Sequence, residues 1–174
     1  VSRGEVVRTV SLADARLLTR ARSGEPQAMS DLWTSWRNPL WSLCVAMAAD
    51  NTQAIDLIKD LYADMPSAVR GWARDEPLCC LMATWAFIRL RANLELPALA
   101  GIEVTVPATV EAPDAASISD RVNRLTPQVR LVYLIDLFFG CPASTTAALV
   151  GASERDLRQA RASAVWSIVA GGAP

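Results

Sequence analysis

Near the end of the chain Arg155, Arg158, Gln159 and Arg161 alternate with Leu157, Ala160 and Ala164. On a helix Arg155 and Arg158 share one face, and Arg161 continues it. A guanidinium pairs bidentately with a guanine edge or grips phosphate, so this row has the chemistry of a major-groove reader. A short helix expected around Thr145 to Val150, followed by the turn Val150-Gly151-Ala152-Ser153, completes a helix-turn-helix pattern. The competing reading is a solvated helix face in a plain bundle. Glu154 and Asp156 weigh towards it, because carboxylates repel phosphate.

A second charged face lies in Gln53 to Tyr62. Ala54, Leu57, Ile58 and Leu61 recur at helical spacing and face inward, which leaves Asp56, Lys59 and Asp60 outward. Such a face suits a charged protein partner, or is ordinary helix solvation.

The missing residue types exclude more than the present ones prove. The chain has no histidine, which removes the commonest general base and transition-metal ligand. Cys44, Cys79, Cys80 and Cys141 form no C-x-x-C pair, so no metal or cofactor is expected and the thiols read as small buried hydrophobes in a reducing cytoplasm. With no Gly-rich phosphate loop and carboxylates scattered over helix faces, an enzyme is not expected. Apolar residues are 52% and charged residues 20% of the 174, enough for a packed core. No secretory signal is read in Val1 to Val10, and the apolar stretch Pro77 to Ile88 is too short to span a bilayer, so no membrane role is expected.

The elements that must position these faces are helices throughout, an all-α pattern of two small helical domains. Ser11 to Arg22 opens the series. A helix from Pro26 towards Ala49 follows, with Pro39 expected to kink or split it. Asp50-Asn51-Thr52 supplies a fresh N-cap, and Pro66 is expected to close that helix. A long helix runs from Pro77 to about Leu96. Residues 98–119, with Pro107, Pro113 and the β-branched run Ile102 to Val106, read as an extended linker. Helical pattern returns with Thr126-Pro127 as cap and first turn, a stripe of Leu131, Leu134, Ile135 and Phe138, and a last helix from Glu154 to about Val169. Residues 1–97 thus form one domain, net charge 0, and residues 120–174 a second, net +2, with a linker of −3 between them.

Several of these segments resemble the extracytoplasmic-function sigma factors. The stretch Gln53 to Tyr62 is similar to the family's core-polymerase-binding helix, D-A-E-D-L-x-Q-E-x-F, through Ala54, Asp56, Leu57, Asp60 and Tyr62, while Gln53, Ile55 and Lys59 depart from it. Asp14 to Leu18 and Ser23-Gly24-Glu25 resemble the opening helices, Leu125 to Arg130 the L-P-x-x-x-R start of the second domain, and Leu149 to Ser153 the helix-turn-helix turn. The matches are colinear over residues 11–96 and 120–169. The resemblance implies docking on core RNA polymerase through Asp56, Lys59, Asp60 and Tyr62. It implies capture of melted promoter DNA by Trp72, Arg74, Trp85, Phe87, Arg89, Arg91 and Asn93, and duplex reading by Arg155, Arg158, Gln159 and Arg161. Aromatics stack on unpaired bases and Arg holds backbone, although Trp85 and Phe87 equally suit a core. An anti-sigma factor is a further implied partner.

The departures keep a second reading open. Leu94-Glu95-Leu96-Pro97 stands where the family has a basic cluster, Thr145-Thr146-Ala147 where it has Glu-Ile-Ala, and the recognition helix is less basic. Fewer phosphate contacts mean weaker and less salt-sensitive DNA binding. A sigma mimic that binds an anti-sigma factor or polymerase without reading promoters fits the same residues.

Overall fold

The computed structural model describes residues 12–72, 77–96, 122–123, 125–151 and 153–170. The expected linker 98–119, Arg74 and residues 1–11 lie outside the described residues. The fold is all-helical: α1 (Leu12–Arg22), α2 (Pro26–Met47), α3 (Asn51–Gly71), α4 (Leu78–Asn93), α5 (Pro127–Phe139), α6 (Ala143–Val150) and α7 (Glu154–Ala170). Among the described residues no helix is long and apolar enough to cross a membrane.

Local chemistry accounts for most boundaries. Gly24, in the left-handed region at φ 85°, ends α1, and Arg20 and Glu25 pair across that turn. Asp50 caps α3 by accepting from the Gln53 backbone N–H at 2.8 Å, and Gln53 Oε1 accepts from the Ala49 N–H at 2.6 Å. The two side chains together satisfy backbone donors as a capping box does. Gly140 and Gly151, at φ 61° and 70°, terminate α5 and α6.

One boundary differs from the sequence expectation: Pro66 does not close α3, which runs on to Gly71. Of the two outcomes expected at Pro39, a kink or a split, the helix is not split, since α2 runs through it to Met47. A proline inside a helix costs about 3 kcal/mol. Trp36, Leu40 and Leu43 surround Pro39, and Met65 and Val69 surround Pro66, all of them buried. Each such side chain gains about 1.5–3 kcal/mol from burial, so packing outweighs the local defect.

Helix α4 is central. Every residue from Leu78 to Phe87 is buried, as expected only of a helix covered on all sides. It packs against α1, α2 and α3 on one side and against α5 and α6 on the other. Helix α5 also lies along α2, while α7 packs on α5 and α6. Residues from both sides of the expected linker therefore share one apolar core, with a smaller cluster of Leu125, Ala164 and Ile168 inside the C-terminal half.

The seam between the halves has two fixed points. The Trp36 and Phe139 rings stack with centroids 5.6 Å apart and planes 10° from parallel. Arg130 donates to the carbonyl oxygens of Ala46 at 3.5 Å, Leu125 at 3.2 Å and Asn123, which joins the end of α2 to the start of the second half. Burial lowers the Arg130 pKa from its ordinary value. Leu131, Leu134 and Ile135 are buried as the stripe predicts, but Phe139, not Phe138, is the fully buried aromatic.

Replacing Phe139 with alanine is expected to lower unfolding free energy by about 3–5 kcal/mol, measured by urea denaturation. Leu137→Ala on the opposite, 60% exposed position of α5 should change it by no more than about 0.5 kcal/mol. Equal effects at the two positions would contradict the seam.

Candidate functional site

Helix α3 presents two adjoining features. Asp56, Lys59, Asp60 and Tyr62 are all exposed. Lys59 Nζ pairs with Asp56 Oδ1 at 3.2 Å, an exposed i,i+3 pair that adds little stability and leaves both groups to a partner. Asp60 accepts from Asn93 Nδ2 at 3.2 Å, and with Asp50 and Asp56 these residues line an acidic cleft of about 510 Å³. Beside it, Tyr62 is 58% exposed, with its ring edge-on to Trp33 at 4.7 Å. Met29, Trp33, Tyr62, Met65, Pro26 and Pro66 line a mainly apolar groove of about 370 Å³ between α2 and α3. A charged strip next to an aromatic groove has the character of a protein-docking face.

The residues expected to capture a single strand are arranged differently. Trp85 is only 6% exposed, and its indole N–H donates to Asp64 Oδ2 at 2.9 Å. Phe87 is buried as well. In this arrangement neither ring offers a face to a base, and the core reading weighed for both describes where they stand. Arg89 is exposed but held by Asp64, through Nε to Oδ2 at 2.6 Å and through Nη2 to Oδ1. Arg91 donates to the Leu96 carbonyl at 3.3 Å and so closes the end of α4. Trp72, half-buried at the C-cap of α3, packs on the core. Among the described residues of this set Arg89 and Asn93 are exposed and Trp72 and Arg91 partly buried, and Arg74 lies outside the described residues.

Asp64 itself carried no signal in the sequence, because its partners are 21 and 25 residues away. Burial works against its ionisation, but the bonds from Arg89 and Trp85 outweigh it and hold the carboxyl below the usual aspartate range.

Helix α7 sorts its arginines by angle. At about 100° per residue, Arg155 points about 160° away from the mean direction of Leu157, Ala164 and Ile168, the buried side. Arg158 lies about 100° away, and Arg161 only about 40°. Accordingly Arg155 is exposed, Arg158 pairs with Glu154 at 3.4 Å, and Arg161 turns inward to Asp136 of α5. Arg161 thus belongs to the packing of the C-terminal half in this structure, a correction to the continuous arginine row. Burial raises the Asp136 pKa, against the lowering effect of Arg161. The side chain of Gln159 lies outside the described residues.

The cysteines hold a feature that spacing concealed. Cys79 and Cys80, in the first turn of α4, meet Cys141 from the turn between α5 and α6, with all three sulfurs within 4.8 Å of one another. Cys141 Sγ is 3.4 Å from the Cys79 carbonyl oxygen, and Thr145 Oγ1 is 3.9 Å from Cys80 Sγ. Cys141 and Cys80 hydrogen-bond to the Cys79 sulfur and hold it far below the ordinary thiol range, while the Cys79 and Cys80 contacts, with burial, push Cys141 up. Cys44 stands apart, pushed up to about 12 by burial.

The described residues thus form an all-helical fold with a charged strip beside an apolar groove on α3. Among solved structures the chain is similar to CnrH in complex with the cytosolic domain of CnrY. The match has a TM-score of 0.65 and 18% identity, covering 90% of this chain and 94% of that one. At that identity the likeness establishes a shared fold. No family model and no curated protein matches the sequence.

Asp64→Ala is expected to cost about 1–3 kcal/mol at pH 7, because it strands the buried Trp85 N–H. Because the folded-state pKa is depressed, the contribution of the ionised carboxylate is complete above the unfolded value near 3.9 and is lost as pH falls through the lower folded one. The wild-type advantage over Asp64→Ala in urea should therefore shrink below about pH 4. An advantage that grows with acidification would refute the assignment.

Proposed function

We propose that this chain is a sigma-type transcription initiation factor, non-enzymatic, with a core-polymerase-docking face on α3 and a duplex-reading face on α7. The observation that carries the reading is the exposed strip of Asp56, Lys59 and Tyr62 beside the α2–α3 groove, on a fold similar to that of CnrH over 90% of this chain. The charged strip suits a charged partner surface, and Tyr62 supplies a half-exposed aromatic anchor of the kind that dominates binding energy. On α7, Arg155 and Arg158 form the outward pair that meets DNA. Capture of a single strand falls to Arg89, Asn93 and the residues beyond Trp72, with Trp85 buttressing α4 against Asp64. The two groups of helices act as domains 1–97 and 120–174 whose separation the linker 98–119 allows.

A sigma mimic that has given up promoter reading is the second possibility, favoured by one observation: Arg161 is spent on Asp136 and Arg158 on Glu154. In both cases the cytosolic domain seated on CnrH supports an anti-sigma factor as a partner for this chain.

Purified chain plus core polymerase is expected to give start-specific transcripts from a promoter library of its own genome. The pair Lys59→Glu, Tyr62→Ala should weaken polymerase binding at least about tenfold while the helical fold is kept, with about 0.5–1.5 kcal/mol of stability lost with the Tyr62–Trp33 contact. Arg155→Ala should cost about 1–3 kcal/mol of duplex binding by the polymerase-bound protein, whereas Arg161→Ala should act first on stability. Polymerase binding with no specific transcript, unchanged by Arg155→Ala, would select the mimic.

A further inference from the structure

We propose that Cys79, Cys80 and Cys141 form a site for one soft d¹⁰ cation of the Cu(I) class, held by three thiolates, which ties α4 to the α5–α6 turn.

Geometry supplies the first argument. At a metal–sulfur distance of about 2.3 Å, three sulfurs in a plane around one ion stand about 4.0 Å apart. Cys79 Sγ and Cys80 Sγ are 4.0 Å apart, and the whole trio lies within 4.8 Å. Small side-chain rotations would complete the triangle.

The donor set supplies the second. Three sulfurs converge with no histidine or carboxylate in the group. The neighbouring oxygens are the Cys79 carbonyl, 3.4 Å from Cys141 Sγ, and the Thr145 hydroxyl, 3.9 Å from Cys80 Sγ, and both are poor ligands for a soft ion. Zinc takes four ligands in structural sites and would be left one short. A three-coordinate ion that prefers thiolate is satisfied as the site stands. Burial completes the case: the three residues are 7%, 0% and 7% exposed, so water is kept from the fourth position and from the bound ion. The bland reading, thiols as small hydrophobes, describes Cys44 well, since it is buried in α2 and takes no part in the cluster.

Binding displaces the thiol protons and moves no electron, so the copper enters and remains as Cu(I). Two ligands come from the first half of the fold and the third from the second, 62 residues away along the chain. An ion bound to all three stabilises the packed arrangement over any arrangement in which the seam is parted. The ion is therefore a closing signal, a consequence that rests on the sigma-type reading, whereas the site itself does not.

The test uses the reduced full chain under anaerobic conditions, titrated with Cu(I) against a Cu(I)-specific chelator. One equivalent should bind with ultraviolet sulfur-to-copper charge transfer, three-sulfur coordination by X-ray absorption, and a raised thermal midpoint. Cys79→Ser, Cys80→Ser and Cys141→Ser should each lower affinity at least about tenfold, and Cys44→Ser should leave it unchanged. Where a serine variant loses helical circular dichroism, the alanine variant at that position takes its place. Failure to compete with the chelator, binding that survives loss of all three thiols, or Zn(II) held more tightly than Cu(I) would overturn the proposal. Polymerase plays no part in this measurement, so its outcome is independent of the transcription assay.

Discussion

The contact of α5 and α6 with α2 and α4 is the constraint on which the rest of the molecule depends. From Leu78 to Phe87 helix α4 is buried around its whole circumference, and such a segment is stable in water only when every side is covered. The first three helices cover part of it, and the second half covers the remainder. Parting the seam would expose Phe139, its Trp36 partner and the α4 side chains beneath α5 and α6. An apolar patch of that kind marks an interaction surface whenever it is uncovered. Separation of the halves therefore calls for a partner that covers what they leave, and closure is the default of the isolated chain.

Electrostatics follow the same economy. Arginine is almost the sole cation of this chain, and the structure divides its arginines between internal struts and outward contacts. Arg89 is held by Asp64, Arg161 by Asp136, Arg91 by the Leu96 carbonyl and Arg130 by three carbonyls. The planar fork of donors suits it to each of these tasks. If α7 reads duplex DNA as proposed, the outward arginines among its described side chains are Arg155 and Arg158, with Glu154 close by. A reader with so few phosphate contacts has a shallow salt dependence and little affinity of its own. Its specificity would then be expressed on a complex that supplies the rest of the binding energy.

Helix content and order were legible in the sequence because periodicity, caps and turn glycines are local signals. Asp50, Thr126-Pro127, Gly140 and Gly151 each stand where their chemistry places them. The misplaced boundary, at Pro66, is one where burial against other helices overrode a local breaker, as it also does where α2 continues through Pro39. The site was read less evenly for the same reason. The α3 strip is visible because inward and outward positions alternate on one helix. The Asp64 hub, the inward turn of Arg161 and the thiol trio join residues 21 to 62 positions apart, and no spacing rule announces them. Helical angle would have separated Arg161 from Arg155, since Leu157 and Ala164 already fix the buried side of α7.

Closure does not hide either face. Tyr62 and Lys59 on α3 and Arg155 on α7 are exposed while the seam is intact, and α7 packs chiefly on α5 and α6. What the seam fixes is the separation and relative orientation of the two faces. If the chain acts as proposed, a rigid partner that engages both faces demands one particular separation, so a closed chain would engage one face while the other is held out of reach. Regulation would then need no mask over α7. It needs only a ligand, whether protein or ion, whose affinity differs between closed and parted forms, and it can shift their populations by no more than that difference.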